Sequence, residues 1–597
     1  MSEPTVGEPT PYPPALTGMR GSHPGSFEGG HLVRDGRSFE IDDLPVDETV
    51  DLAVVGAGIS GLAAAWFARE RRPRGTILIL DNHDDFGGHA KRNEFVVDGR
   101  FLLGYGGSEA LQSPNSLYSD VAKGLLRSLG VDITRFETAF DRDLYPSLGL
   151  SRGVFFTREA FGQDRLVSGD PMRMVADDIP SDRMNERPAA EFIADFPVSD
   201  AMKAALLELF TSSRDPLDGH SQQEKVALLR TISYRDYVQT HWGLDDTAAD
   251  TFQGRSHDFF AMGIDRVSAY DAMETGYPGF AGLDLPVDPA AAAEMDEPYI
   301  YHFPDGNASL ARLIVRRLVP AVAPGDSMED IVTARFDYAA LDEPGAPTRL
   351  RLRSTVVRVE NTDGGVDLGV YHKGELRRIR ARRAILAGYH MMIASIVPEL
   401  PMPQRRALWS NVKAPLVYVK VAVRNWRPWV ELGVHEITNP MGFFSRAKLD
   451  YPVSLGDYLF PSSPDEPMVL HLVHVPAQPD GGTARDRFRA GREQLYDMTL
   501  EDFDATIRDE LTRMLGPGGF EAERDIAAIT VNRWGHGYSY SGDPLLDEWA
   551  ETPPAFEVAR TRVGRIAIAN ADAAWMPFAH AAIDQAWRAV GELFDEV

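Results

Sequence analysis

From residue 51 onward, short apolar runs alternate with segments whose apolar residues recur at helical spacing, the pattern of an α/β chain. Asp51-Leu-Ala-Val-Val55 reads as a buried parallel strand, residues 62–69 as an apolar, alanine-rich helix, and Thr76-Ile-Leu-Ile-Leu80 as a second strand ending at Asp81. Helical spacing returns at 117–129, 189–210 and 234–242, which together read as a helical insertion. A Pro- and Gly-rich loop is expected over 277–298 and a helix over 309–318. Residues 350–359 alternate like one strand, and 383–388 form a short apolar strand with a glycine stop. Strands at 417–425 and 467–475 suggest a second, substrate-facing sheet. A helix over 498–514 stops at Gly516-Pro517, and residues 565–572 are a strand closing on an acid, followed by a helix over 581–594.

Between the first strand and the first helix stands Gly56-Ala-Gly58-Ile-Ser60-Gly61. Gly56 allows the tight turn, Gly58 lets backbone approach a pyrophosphate, and Gly61 lets helix and strand pack closely, while the helix N-terminus offers N–H groups to the anion. Asp81, 20 residues past Gly61, stands where a ribose-binding carboxylate belongs. Its charge would repel a 2′-phosphate, which leaves FAD or NAD rather than NADP. The apolar stretch 52–68 is therefore a nucleotide-binding strand, turn and helix rather than a membrane span.

Composition narrows the partners. The chain has 597 residues, with 61 Lys and Arg against 89 Asp and Glu, a formal net charge of −28 that opposes nucleic-acid binding. It has no cysteine, so disulfides, thiolate metal sites, thiol nucleophiles and cysteinyl attachment of a flavin are excluded. Residues 1–14 carry neither a basic n-region nor an apolar h-region, and the cytoplasm is the expected compartment.

Asp84-Asp-Phe-Gly87-Gly88-His-Ala-Lys91-Arg92 places a glycine pair and two cations beyond the ribose acid. This resembles the second FAD motif of amine-oxidase-like flavoproteins and favours FAD, bound noncovalently, with Arg92 as the cation for its phosphates or the flavin site. Three segments, 13–28, 82–93 and Asn532-Arg-Trp-Gly-His-Gly-Tyr-Ser-Tyr540, resemble the bacterial spermidine dehydrogenase family. The resemblance implies a Rossmann-type FAD-binding domain assembled from 50–112, 345–395 and 560–597. A mixed α+β substrate domain would be built from 113–344 and 396–559, and an N-terminal arm from 1–49. By the same resemblance, Gly106 and Gly107 run beneath the isoalloxazine ring and Val357 contacts adenine. Asp572 belongs to the ribityl–pyrophosphate region, where relatives have Gly-Asp and this chain has Ala571-Asp572. The helix start near Ala582 and Ile583 then faces the flavin C2 carbonyl.

The implied activity is oxidation of a spermidine-like polyamine by hydride transfer to flavin N5, followed by hydrolysis of the imine. His536, Tyr538 and Tyr540 are the expected substrate-face residues, with Trp534 beside them, because an aromatic wall excludes water and attracts alkylammonium groups. Glu109, Asp258, Asp265, Asp271 and Glu274 are the acids available to ammonium ends. The resemblance also brings in haem b as an electron acceptor, with His23 and His31 as ligand candidates; the acceptor itself is not legible. Two other readings stay open on the same scaffold: an FAD desaturase or oxidase of a biosynthetic intermediate that is not a polyamine, and a flavin electron carrier without turnover.

Overall fold

The structure, a computed structural model, describes residues 12–175, 177–286, 289–372, 374–476, 482–542, 545 and 553–595. Two sheets organise it. At the centre of the first, Val46–Val55 pairs in parallel with Ile77–Leu80 on one side and Glu375–Leu386 on the other. Thr348–Arg351 extends the sheet in parallel beyond Ile77–Leu80, and Ile566–Ile568 runs parallel to the end of Glu375–Leu386. Ile77–Leu80, Ile566–Ile568 and the end of Val46–Val55 are apolar and largely buried, as expected of parallel strands inside a sheet. Ile59–Arg71 and Ala579–Phe594 pack on one another against one face, and Glu28–Arg34 and His390–Ile396 pack near Ser354–Thr362.

Residues 350–359, read from alternation as one strand, are two. The chain turns at Arg353, which has a φ of +54°, so Thr348–Arg351 pairs with Ile77–Leu80 while Ser354–Thr362 joins an antiparallel meander with Gly365–His372 and Glu375–Leu386. Alternation reports burial and not a change of partner. The helical stretch 189–210 is likewise two helices, Ala189–Ala194 and Asp200–Thr211, separated at Pro197 and restarted by Ser199, whose hydroxyl accepts from Met202 N–H. The loop expected over 277–298 contains the helix Pro289–Asp296.

The second sheet has eight strands, with Ile526–Tyr538 and Ala414–Val423 in its interior. The N-terminal strand Gly18–Gly21 forms its edge, parallel to Ile526–Tyr538, so part of the arm is a structural strand. Helix Leu500–Leu515 buries Phe503, Ile507 and Leu511 in the same core as Val417, Val419 and Val421. The segments of the first sheet fall within 46–55, 77–80, 348–386 and 566–568; Arg92–Val97 and Arg100–Tyr105 form a separate hairpin, and the other described strands belong to the second sheet. Among the described residues no helix is long and apolar enough to cross a membrane.

Candidate active site

A cavity of about 290 Å³ lies over the C-terminal ends of the parallel strands, lined by Gly56, Gly58, Ser60, Asp81, Gly87 and Gly88 among others. Open α/β sheets bind ligands at this end. Gly56 has a φ of +104°, and a Cβ on Gly61 would stand 1.8 Å from Gly56 O, so the turn and the helix can approach only as glycines. Gly58 precedes helix Ile59–Arg71 with no side-chain cap, leaving its first N–H groups free for an anion. Gly87 and Gly88, both at positive φ, close the other wall, where a Cβ on Gly88 would come within 2.9 Å of Gly58 Cα. Such a cradle of bare backbone fits a dinucleotide pyrophosphate.

Asp81 carries two duties. Its carboxylate accepts from Ala57 N–H at 2.6 Å and from His83 N–H at 2.9 Å, bracing the glycine turn while lining the cavity. Burial raises its pKa, opposed by Lys91 and those N–H bonds. Ser60 accepts from Asn570 N–H, tying the first helix to the last strand. At the other end of the cavity, helix Ala579–Phe594 starts uncapped at Phe578, and Ala579 and Ala582 form the wall.

A second cavity, about 230 Å³, meets the first at Gly107, Ser108, Tyr538 and Pro577–Ala579. Its walls combine apolar side chains such as Met172, Met174 and Phe259 with several ion pairs. Arg446 donates to Glu436 and Asp258, Arg152 donates to Asp177, and Arg255 donates to Asp170 at 2.7 Å. Burial works to raise the Glu109 carboxyl, but Lys448 and Arg446 outweigh it and hold it below the usual carboxylate range. Tyr538 forms the passage: its hydroxyl donates to Asp258 O at 2.7 Å and lies 2.9 Å from the Tyr418 hydroxyl.

The NAD(P)-binding Rossmann-like domain family matches residues 54–125. No curated protein matches the sequence. Among solved structures, a putative protoporphyrinogen oxidase from Exiguobacterium sp. 255-15 aligns with a TM-score of 0.55 at 13% identity, over 92% of this chain and 99% of that one. Wild-type putrescine oxidase bound to putrescine aligns at 0.50 and 16%, over 92% and 99%. Cyclohexylamine oxidase from Brevibacterium oxydans IH-35A aligns at 0.50 and 15%, again over 92% and 99%. The fold is that of these oxidases.

Within this oxidase fold the expected residues divide. Gly56, Gly58, Ser60, Asp81, Gly87, Gly88, Gly107, Trp534 and Tyr538 line the dinucleotide cavity, and Glu109 and Asp258 line the second. Arg92 is corrected: its guanidinium is buried between Glu94 at 2.7 Å, Asp305 at 3.2 Å and Val332 O, fastening a hairpin instead of facing a phosphate. Val357 points into the core, and Ser354, Thr355 and Val356 take the wall, since the chain restarts its strand after Arg353. Gly106 lies behind Gly107, accepting from Trp534 Nε1 at 2.7 Å. Ile583 is buried in the core one position past Ala582. Asp572 lies beneath the cavity, where Lys413 Nζ at 2.7 Å, Ser539 Oγ and His390 N–H occupy its carboxylate.

His536 and Tyr540 stand off both cavities. Ile526–Tyr538 bulges opposite Ala414–Leu416, and the bulge turns His536 toward Tyr389, with ring centroids 5.0 Å apart. Burial drives the imidazole pKa well below its usual value. Tyr540 packs beyond the strand end beneath Arg485 and beside Trp575. Asp265 pairs with Arg487, and the Asp271 carboxylate accepts from the hydroxyl of Ser268, the residue that caps its helix. Glu274 ends that helix and lines neither cavity.

The haem candidates do not suit an iron. His23 Nδ1 is 2.8 Å from Gly21 O and its Nε2 faces Arg20 and Asp84, while His31 packs among Phe27 and Tyr496. Sequence reasoning missed Lys413, Tyr389, His89 and Phe578 on the cofactor side and Asp178, Arg152 and Arg446 on the other. A lone lysine in Asn411-Val-Lys413-Ala-Pro415 was the available signal, and it becomes readable only once Asp572 is placed against it.

Proposed function

We propose that this chain is an FAD-dependent amine oxidoreductase that oxidises a spermidine-like polyamine. The observation that carries the reading is the junction itself: a dinucleotide cradle opens, at Tyr538 and Phe578, into a chamber whose walls hold six carboxylates. When bound, FAD would supply a two-electron acceptor for the amine's α-carbon hydride, and water would then hydrolyse the imine. The chain's own part is positioning. Gly56, Gly58, Gly87 and Gly88 would hold the pyrophosphate, and the uncapped helix at Ala579 would offer its N–H groups to the flavin C2 carbonyl. Tyr538 and Tyr418, joined through their hydroxyls and anchored by Asp258, would form an aromatic wall for an alkylammonium chain and keep water from the reacting carbon.

The oxidases that share the fold include one bound to putrescine and one named for cyclohexylamine, which supports an amine at low identity. An apolar biosynthetic intermediate would leave the Asp178 carboxylate, 3.6 Å from Arg152 and facing the chamber, without a complementary contact. The test is anaerobic addition of spermidine to FAD-loaded protein. Bleaching of the flavin band is expected, and a fully loaded protein that no amine bleaches would exclude amine oxidation.

A further inference from the structure

The six carboxylates of the second chamber are not equally satisfied. Asp170 has Arg255, Glu109 has Lys448, and Glu436 and Asp258 share Arg446. At the remaining place Asp177 and Asp178 share Arg152. Asp177 receives both guanidinium N–H donors of Arg152, accepts from Ile179 N–H, and is approached by Arg173 at 3.8 Å. Asp178 receives none of these. Its carboxylate lies 3.6 Å from Arg152, beyond hydrogen-bond distance, and among the described residues it accepts no hydrogen bond, although the residue is only 7% exposed and faces the chamber. Its backbone carbonyl accepts from Arg142 Nε at 2.8 Å.

A buried carboxylate without a donor is costly to leave unpaired. Burial, with Asp177 adjacent, holds this carboxyl up at about 6, against the pull of Arg152 and Lys448. A group facing a cavity in that condition is completed by a cationic ligand. Among the described residues no three acidic or histidine side chains converge to hold a metal ion, so the complement is an organic cation. The chamber's arginines are all taken by carboxylates, which leaves no free cation for a carboxylate-bearing substrate such as an amino acid.

We propose that Asp178 binds the second, non-reacting ammonium group of a diamine or polyamine whose first amine lies at Tyr538. The inference rests on the amine-oxidation reading and adds to it the group that selects two-cation substrates over monoamines. Asp178 does no chemistry here; it sets how the chain is threaded.

The experiment uses FAD-loaded protein, with wild type and Asp178→Asn compared by calorimetric titration of putrescine, spermidine and butylamine. The same ligands are tested for anaerobic flavin bleaching. Asp178→Asn is expected to weaken putrescine and spermidine binding at least tenfold, to leave butylamine binding within twofold, and to change the bleaching rate at saturation by less than threefold. Asp178→Glu should restore part of the diamine preference, and an unchanged melting temperature shows the variants are folded. Equal loss for butylamine and putrescine, unchanged putrescine binding in Asp178→Asn, or no diamine binding to wild type would each overturn the proposal. Tight diamine binding lost in Asp178→Asn, with no bleaching by any amine, would support the anchor and overturn only the oxidation reading.

Discussion

The Asp81 carboxylate braces the glycine turn through two backbone N–H groups and also faces the cofactor cavity, so its removal acts on binding twice. Asp81→Ala should cost about 1.5–3 kcal/mol of FAD affinity, the worth of a charge-assisted hydrogen bond, while the fraction that stays loaded bleaches at near wild-type rate. Flavin fluorescence titration and stopped-flow reduction separate the two, and full FAD retention with lost turnover would contradict the placement. Tyr538 belongs to the passage between the cavities. Tyr538→Ala should lower the efficiency of flavin reduction by spermidine by about 1 kcal/mol or more, the scale of a desolvated cation–π contact, with a smaller change in thermal stability. His536→Ala should by contrast leave the rate within a few-fold, because a strand bulge turns that ring away from both cavities. Measured side by side, the two variants test whether the bulge sorts neighbouring aromatic positions as described.

At the scale of elements, the tightest constraint is the contact between helix Ile59–Arg71 and the turn before it. Gly61→Ala would drive a methyl to 1.8 Å from Gly56 O, and should cost about 3 kcal/mol or more as overpacking that backbone alone can relieve. Gly124→Ala, in helix Asp120–Ser128 with only Arg127 Nη2 within 4 Å, should instead raise stability by about 0.4–1 kcal/mol. Thermal unfolding of both variants is the check, and equal effects would refute the contrast. These elements also mark what the sequence made legible. The glycine turn, its strand and its helix are contiguous, so spacing alone locates them to within a few residues. Lys413 and Asp572 lie 159 positions apart and acquire meaning only when the second sheet brings them to 2.7 Å. Arg92 failed for the opposite reason: its position beside the glycine pair is local, but it lies on the same strand as Glu94, which claims it, and a distant loop brings Asp305 to it as well. Asp178 stands in irregular chain between strand Arg165–Ser168 and helix Ala189–Ala194, where no periodicity marks a residue as facing a cavity.

For the molecule as a whole, buried histidines govern the response to acid. Burial, the largest cause for each, lowers His89, His302 and His435 to about 3 and His257, His474 and His580 to about 4. A depressed histidine adds stability that is full above its unfolded pKa near 6.5 and is lost as pH falls toward its folded value. Asp178 and Glu510 work the other way, since burial raises them to about 6 and about 7. At pH 5, unfolding would therefore load these six histidines, and also His83, His471 and His536, which burial drives well below their usual value, against protons released from carboxyls such as Asp178 and Glu510, a net uptake. Unfolding free energy measured against pH should fall steeply between pH 6.5 and pH 4, and a flat or rising profile on acidification would contradict it. The cofactor cavity has a different consequence, one of timing. Its walls include Gly30 near one end of the chain and Asn570, Ala579 and Ala582 near the other. At synthesis rates of about 5–20 residues per second, tens of seconds separate the emergence of the first wall from that of the last. The nascent chain therefore carries its glycine turn long before it can retain a dinucleotide, and loading with FAD becomes a clock for the completion of the fold.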